Sequence, residues 1–352
     1  MLVAGRVHNG CDADGVVHVP VVTSPEQFHE DALFVDVQRQ TGRRVLVKTE
    51  GLNFAGSIKL KAALSMIDAA LEKGELRPGM TIVESSSGNL GVAISLIAAN
   101  RGLNFICVTD DRCNPATVRL MRAVGTTVHI VTEPDPVEGY LGARLRFVRN
   151  LAQHADVLWL NQYANEANWG AHYRRTAPAI LREVPDVDVL FVGAGTTGTL
   201  MGCARYMRDA TAGRVRVVGV DSVGSVTFGT DAGPRHVPGL GAGVRPAMFD
   251  GTVLDDTVLV PERDGVRFCR QLARTGFLFG GSTGTVLAGA VSWLTEHDPE
   301  GDLTSVAIGP DLGERYLETV YDDSWVAEHF GDLATSAVDE SSPGPALLAR
   351  SA

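Results

Sequence analysis

Lysine is almost absent from this chain: four residues (Lys48, Lys59, Lys61 and Lys73) stand among 31 lysines and arginines in a total of 352. Arginine carries a surface charge equally well, but its guanidinium stays protonated and cannot attack a carbonyl as an amine can. Schiff-base chemistry therefore has four possible addresses. Other absences exclude whole classes. No apolar run approaches the ~18 residues of a membrane span. A net charge of −11 without any basic cluster argues against nucleic acid and anionic membranes as partners. The cysteines, Cys11, Cys107, Cys113, Cys203 and Cys269, are odd in number and scattered. No CxxC pair or Cys/His spacing suggests zinc or a disulfide framework. Residues Met1 to His8 lack the long apolar core of a secretory signal. These readings describe a reduced, cytoplasmic protein without a metal.

What is present is ordinary globular material, 45% hydrophobic with 39 glycines, in a chain long enough for two cores. Strand-like runs at 45–49, 81–84, 104–109, 127–131, 157–160, 189–193, 216–221, 257–260 and 305–308 alternate with helix-like runs such as 90–100 and 116–124. That alternation predicts an α/β fold with parallel sheets and crossover helices. The expected organisation is an irregular arm (1–39), a smaller domain (40–158), a larger domain (159–332) and a disordered Ser/Pro/Ala/Gly-rich tail (333–352).

Lys59 opens a helix after a glycine-serine turn, in the run Asn53-Phe54-Ala55-Gly56-Ser57-Ile58-Lys59. Ser57 is the expected N-cap, with Leu60, Ala63, Leu64, Ile67 and Leu71 as the apolar face. In a first turn the helix dipole disfavours a cation by about 0.3–1 kcal/mol, which suits a nucleophilic amine. A solvated lysine at a frayed end is the plain alternative. Lys73 reads as a helix C-terminal lysine, and Lys48 as either structural or site-facing.

Three loops have the make-up of anion sites. Glu84-Ser85-Ser86-Ser87-Gly88-Asn89-Leu90-Gly91 joins a strand to an apolar helix, where free N–H groups suit a carboxylate or phosphate. Gly193-Ala194-Gly195-Thr196-Thr197-Gly198 is a literal GxGxxG, and Asp221 ends the next strand 28 residues after Gly193. Alone, that pair supports a nicotinamide-binding unit. The hydroxyls of Thr196, Thr197 and Thr199 fit a single terminal phosphate better, and the unit lies mid-chain. Gly280-Gly281-Ser282-Thr283-Gly284-Thr285 opens a further helix and could aim a hydroxyl at a ring nitrogen.

In this order, the four features resemble the fold-type II pyridoxal-phosphate enzymes, the cysteine synthase and cystathionine β-synthase family, over about residues 44–320. Asn53 to Lys59 resembles that family's Asn-Pro-x-Gly-Ser-x-Lys. Ser86-Ser87-Gly88-Asn89-Leu90-Gly91 resembles its Thr-Ser-Gly-Asn-Thr-Gly. The likeness implies two domains, each with a mostly parallel sheet flanked by helices, and pyridoxal 5'-phosphate on Lys59. It implies a phosphate cup at Gly195, Thr196, Thr197, Gly198 and Thr199, with Ser282 facing the pyridine nitrogen. Asn89 would meet the phenolic oxygen, and Ser86, Ser87, Gly88, Asn89 and Leu90 the substrate carboxylate. A homodimer is implied as well. Three departures stand out: Phe54 replaces the proline, Leu60-Lys61 replaces Asp-Arg, and the early Gly-x-Thr-Pro is missing, its place taken by Val21-Val22-Thr23-Ser24-Pro25.

Further segments are similar to one branch of that family: Glu133-Pro134-Asp135 with Gly139-Tyr140-Leu141, Asn161-Gln162-Tyr163-Ala164-Asn165 with Asn168-Trp169, Pro238-Gly239-Leu240-Gly241-Ala242, and Pro310-Asp311-Leu312-Gly313-Glu314-Arg315-Tyr316-Leu317. That branch joins O-phospho-L-serine to L-glutamate through an aminoacrylate, releasing phosphate, on the route to 2,3-diaminopropionate for siderophores and peptide antibiotics. The anions would need cationic partners. Arg144, Lys61, Arg112 and Arg174 are candidates, with Tyr140 and Gln162 as polar contacts and Ser225 at the entrance. His172, beside Trp169 and Tyr173, reads as packed. The alternatives are an O-phosphoserine or O-acetylserine sulfhydrylase, an ammonia-lyase, and the nicotinamide oxidoreductase of the literal GxGxxG.

Overall fold

The protein is described here by a computed structural model covering residues 22–28, 31–136 and 138–333. The expected tail lies outside the described residues apart from Leu333, as do Cys11 and Val21. Ten strands are present among the described residues: β1 (Phe34–Asp36), β2 (Val45–Thr49), β3 (Thr81–Ser85), β4 (Asn104–Asp110), β5 (Thr127–Val131), β6 (Val157–Trp159), β7 (Val189–Gly193), β8 (Arg216–Ser222), β9 (Asp256–Val260) and β10 (Ser305–Gly309). They form a four-stranded sheet ordered β5-β4-β3-β6 and a six-stranded sheet ordered β1-β2-β10-β7-β8-β9. All pairings are parallel except β1 with β2.

Both faces of the larger sheet are covered, as parallel strands require. Successive side chains point to opposite faces. Phe191, Val218 and Val220 therefore pack against helix Gly281–His297, and Leu190, Val192 and Val217 against helix Gly198–Thr211. The smaller sheet packs Ile82 and Phe105 against helices Lys59–Glu72 and Asn89–Arg101.

Strand β2 falls within the stretch expected to form the smaller domain (40–158). Strand β2 runs parallel to β10 in full five-residue register (Val45 opposite Ser305 through Thr49 opposite Gly309), so it belongs to the larger sheet. The next helix, Lys59–Glu72, packs with the smaller one. Lys59 thus stands where the chain passes from one sheet layer to the other. Sequence periodicity marks a strand but carries no information on its sheet. The arm is also less irregular than expected, because it contributes β1 at the edge.

Candidate active site

The loops singled out in the sequence converge at the carboxyl ends of the strands, where open α/β sheets place ligands. The serine loop follows β3, the threonine cup follows β7, and the segment Pro310–Tyr316 follows β10. Lys59 is the first residue of its helix. Ser57 does not cap that helix in the expected way. It forms a bridge with Asp311, and its hydroxyl accepts only a long bond, 3.4 Å, from the Lys59 N–H. Lys59 as a residue is half-buried, but its amine is desolvated. Desolvation lowers the amine's pKa below the ordinary lysine value, and Asp311 pulls weakly in the opposite direction. A neutral amine is the form that attacks a carbonyl.

The other lysines are committed elsewhere. Lys48 and Lys61 share the buried Glu50, at 3.0 and 2.9 Å, and Lys61 also meets Asp31 at 2.6 Å. Burial alone would lower the Lys61 pKa, but Glu50 and Asp31 outweigh it and the pKa is raised. Lys61, one of the candidate partners for substrate anions, is a structural cation. Lys73 is exposed beyond the end of its helix.

In the serine loop, the Ser86 hydroxyl accepts the Gly91 N–H at 2.9 Å and the Gly88 N–H at 3.3 Å. Ser87 faces solvent, and the Leu90 side chain enters the core, leaving that residue its backbone for any ligand. Asn89 starts the helix, with its amide turned to Asp311 and Arg315.

The cup precedes and opens helix Gly198–Thr211. Thr197, its N-cap, adopts a left-handed conformation (φ 67°), an outlier for a β-branched residue. Its hydroxyl is buried without a protein partner. A Cβ at Gly195 would stand 2.8 Å from the Gly239 carbonyl, so glycine there lets the segment around Gly239 lie against the cup. Thr199 bonds His172 Nε2 at 3.3 Å, and His172 Nδ1 meets Thr176 at 3.0 Å. Burial first, then Lys59, Lys61 and Arg175, push the His172 pKa well down, so the ring is neutral. His172 is packed, as expected, and it braces the cup. Ser282 lies in the first turn of its helix; a Cβ at Gly239 would fall 2.2 Å from the Ser282 hydroxyl.

The acid of the nicotinamide reading is not free. Asp221 accepts the Ser225 hydroxyl at 2.6 Å and the Ser222 N–H at 2.7 Å, and is fully buried. Ser225, expected at the entrance, is therefore inside. Around the smaller sheet, Arg144 pairs with Asp110 at 3.2 Å, at the end of β4 beside the serine loop. Gln162 donates to the Ser85 carbonyl at 2.8 Å. Tyr140 donates to Asp111 at 3.0 Å under the Arg112 guanidinium. Arg174 donates to the Ser65 hydroxyl of the Lys59 helix at 3.0 Å. Phe54 is 61% exposed and meets Phe28 edge-on at 6.0 Å, which accounts for a tolerated departure from proline.

A buried orphan hydroxyl and a helix N-terminus suit a phosphate. A desolvated amine across the same loops suits an aldehyde, and together they fit pyridoxal 5'-phosphate. The family model described as "Pyridoxal-phosphate dependent enzyme" matches residues 32–311. The chain belongs to that family. It is an enzyme of the fold-type II group, and its cofactor is pyridoxal 5'-phosphate. Among curated proteins, this family member is 40% identical over 302 residues to the N-(2-amino-2-carboxyethyl)-L-glutamate synthase of Ralstonia nicotianae, covering 85% of the chain and 88% of the relative. The enzyme of the same name from Cupriavidus metallidurans is 39% identical, over 83% and 88%. Among solved structures, O-ureido-L-serine synthase matches with a TM-score of 0.79 at 34% identity, over 88% of this chain and 100% of that one.

Sequence reasoning quoted Asp311, Arg315 and Tyr316 without giving them a task. Their position directly after a buried parallel strand, where ligand loops gather, was the available signal.

Proposed function

We propose that this enzyme joins O-phospho-L-serine to L-glutamate by β-replacement, giving N-(2-amino-2-carboxyethyl)-L-glutamate and phosphate. The observation that carries this reading is the 40% identity, over 85% of the chain, to a relative so named. The product would feed 2,3-diaminopropionate for siderophore or antibiotic assembly, in the cytoplasm, with the enzyme as a homodimer.

Bound pyridoxal phosphate supplies an electron sink that labilises the bonds around the amino acid's Cα and Cβ. The rest falls to the chain. Lys59 would anchor the cofactor, and its amine would serve as the base for the Cα proton. Gly195, Thr196, Thr197, Gly198 and Thr199 hold the phosphate. Asn89 would donate to the ring oxygen, and the neutral Ser282 hydroxyl would face the ring nitrogen, where it would limit electron withdrawal and so favour loss of the β-substituent. The loop from Ser86 to Leu90, with Gln162, would seat the substrate carboxylate. Arg144 supplies charge for the leaving phosphate or the glutamate carboxylates, with Tyr140 at the rim.

Product analysis decides the nucleophile. The enzyme supplied with O-phosphoserine should release phosphate on addition of glutamate and form the aminocarboxyethyl product, identified by mass. Release driven by sulfide alone, with cysteine as product, would make it a sulfhydrylase. Lys59→Ala should lose the cofactor-derived absorbance and the borohydride-fixed cofactor adduct.

A further inference from the structure

The segment after β10 touches two parts of the site at once. The Pro310 carbonyl accepts the Ile58 N–H at 2.8 Å, and Arg315 donates to the Ala55 carbonyl, so the turn leading to Lys59 is held from this side. Gly56 makes room: in its left-handed conformation (φ 65°), a Cβ would lie 3.1 Å from the Arg315 guanidinium. From the same segment, Asp311 Oδ2 accepts the Asn89 amide Nδ2 at 2.8 Å, and Arg315 donates to Asn89 Oδ1. Tyr316 donates to the same Asp311 oxygen at 2.6 Å, fixing the carboxyl group. A Cβ at Gly280 would stand 2.1 Å from the other oxygen, so glycine there admits the group.

A primary amide has nearly isosteric ends and can usually turn over to suit its neighbours. Asn89 cannot. Turned over, its oxygen would face the carboxyl oxygen of Asp311, and its N–H groups would face a guanidinium that only donates. Asp311 uses one of the two N–H bonds on Nδ2, and the second is left over. We infer that Asp311 and Arg315 are positioning residues that lock the Asn89 amide in one sense, so that its remaining N–H is the group offered to the cofactor's ring oxygen. This rests on the assignment of Asn89 proposed above.

The readout is the visible spectrum of the cofactor-loaded protein, because a donor at the ring oxygen favours its ionised, yellow form. Asn89→Ala should shift absorbance from the yellow to the near-ultraviolet form. Asp311→Asn and Arg315→Gln, which leave Asn89 in place but remove its directional partners, should cause a loss of the yellow band in the same direction. Borohydride should still fix the cofactor to Lys59 in both, and cofactor Kd should rise by no more than about tenfold, the effect of one good hydrogen bond. Should Asp311→Asn not fold, the partly exposed Arg315→Gln decides alone. Wild-type spectra in the Asp311 and Arg315 variants beside a shifted Asn89→Ala would overturn the lock and spare the Asn89 assignment. An unshifted Asn89→Ala would overturn both. Borohydride fixation surviving in Lys59→Ala would instead point to a wrong anchor.

Discussion

Thr197 concentrates the conflict between stability and binding at a single residue. Its left-handed backbone costs about 1–2 kcal/mol for a side chain with a Cβ, and its hydroxyl is buried with nothing to bond. Both penalties make sense if a phosphate completes the cup. Glycine would relieve the strain but add conformational freedom to the unfolded chain, worth about 0.4–1 kcal/mol. Thr197→Gly should therefore stabilise the cofactor-free protein by up to about 1.6 kcal/mol in urea unfolding while weakening pyridoxal-phosphate binding. Weaker binding without any gain in apo stability would show that the strain argument is wrong. The motif in the sequence located this residue, whereas its strained geometry came from the fold.

Between elements, the buried cluster of Lys48, Lys61, Glu50 and Asp31 fastens β2 to the helix that carries Lys59. Glu50 is the shared acceptor, within 3.0 Å of both amines. Removing one member of a buried ionic group leaves charge without compensation, at a cost of about 3–5 kcal/mol. Glu50→Gln should lower unfolding stability by an amount in that range, measured by denaturant titration of the cofactor-free protein. A change under about 1 kcal/mol, the usual worth of a surface pair, would mean the cluster is solvated. Sequence reading placed strand and helix correctly, and counted Lys61 among the candidate partners for substrate anions. A lysine two residues after Lys59 looks site-facing until the third dimension sets Glu50 and Asp31 against it.

For the whole molecule, the acid at the end of β3 sets a pH dependence of stability. Glu84 is fully buried and accepts bonds from the Ser85 and Gln162 N–H groups at 3.0 and 3.3 Å, but desolvation prevails. Its pKa is pushed up from 4.5 to about 7. The folded state then binds a proton that the unfolded chain has released. This contribution to stability is complete below the unfolded pKa and is lost as pH rises through about 7. Glu84→Gln should flatten the decline in Tm of the cofactor-free protein between about pH 5 and 8. Asp221 and Asp311, also raised by burial, should keep a residual slope of the same sign. Superimposable Tm profiles for wild type and variant would refute the role of Glu84.

Local rules acting over a few residues were enough to mark the α/β alternation, the helix that Lys59 opens, the threonine cup and the serine loop. Propensity, turn chemistry and helix-end electrostatics are properties of short segments, and family likeness added their roles. Sheet membership, side-chain partners and charge state depend on contacts between distant parts of the chain. Only the tertiary structure paired β2 with β10, buried Lys61 against Glu50, closed Asp221 on Ser225, and set Asp311 and Arg315 on either end of the Asn89 amide. The physical reason is range: hydrogen bonds and desolvation act over a few ångströms in space, however far apart the residues lie in sequence.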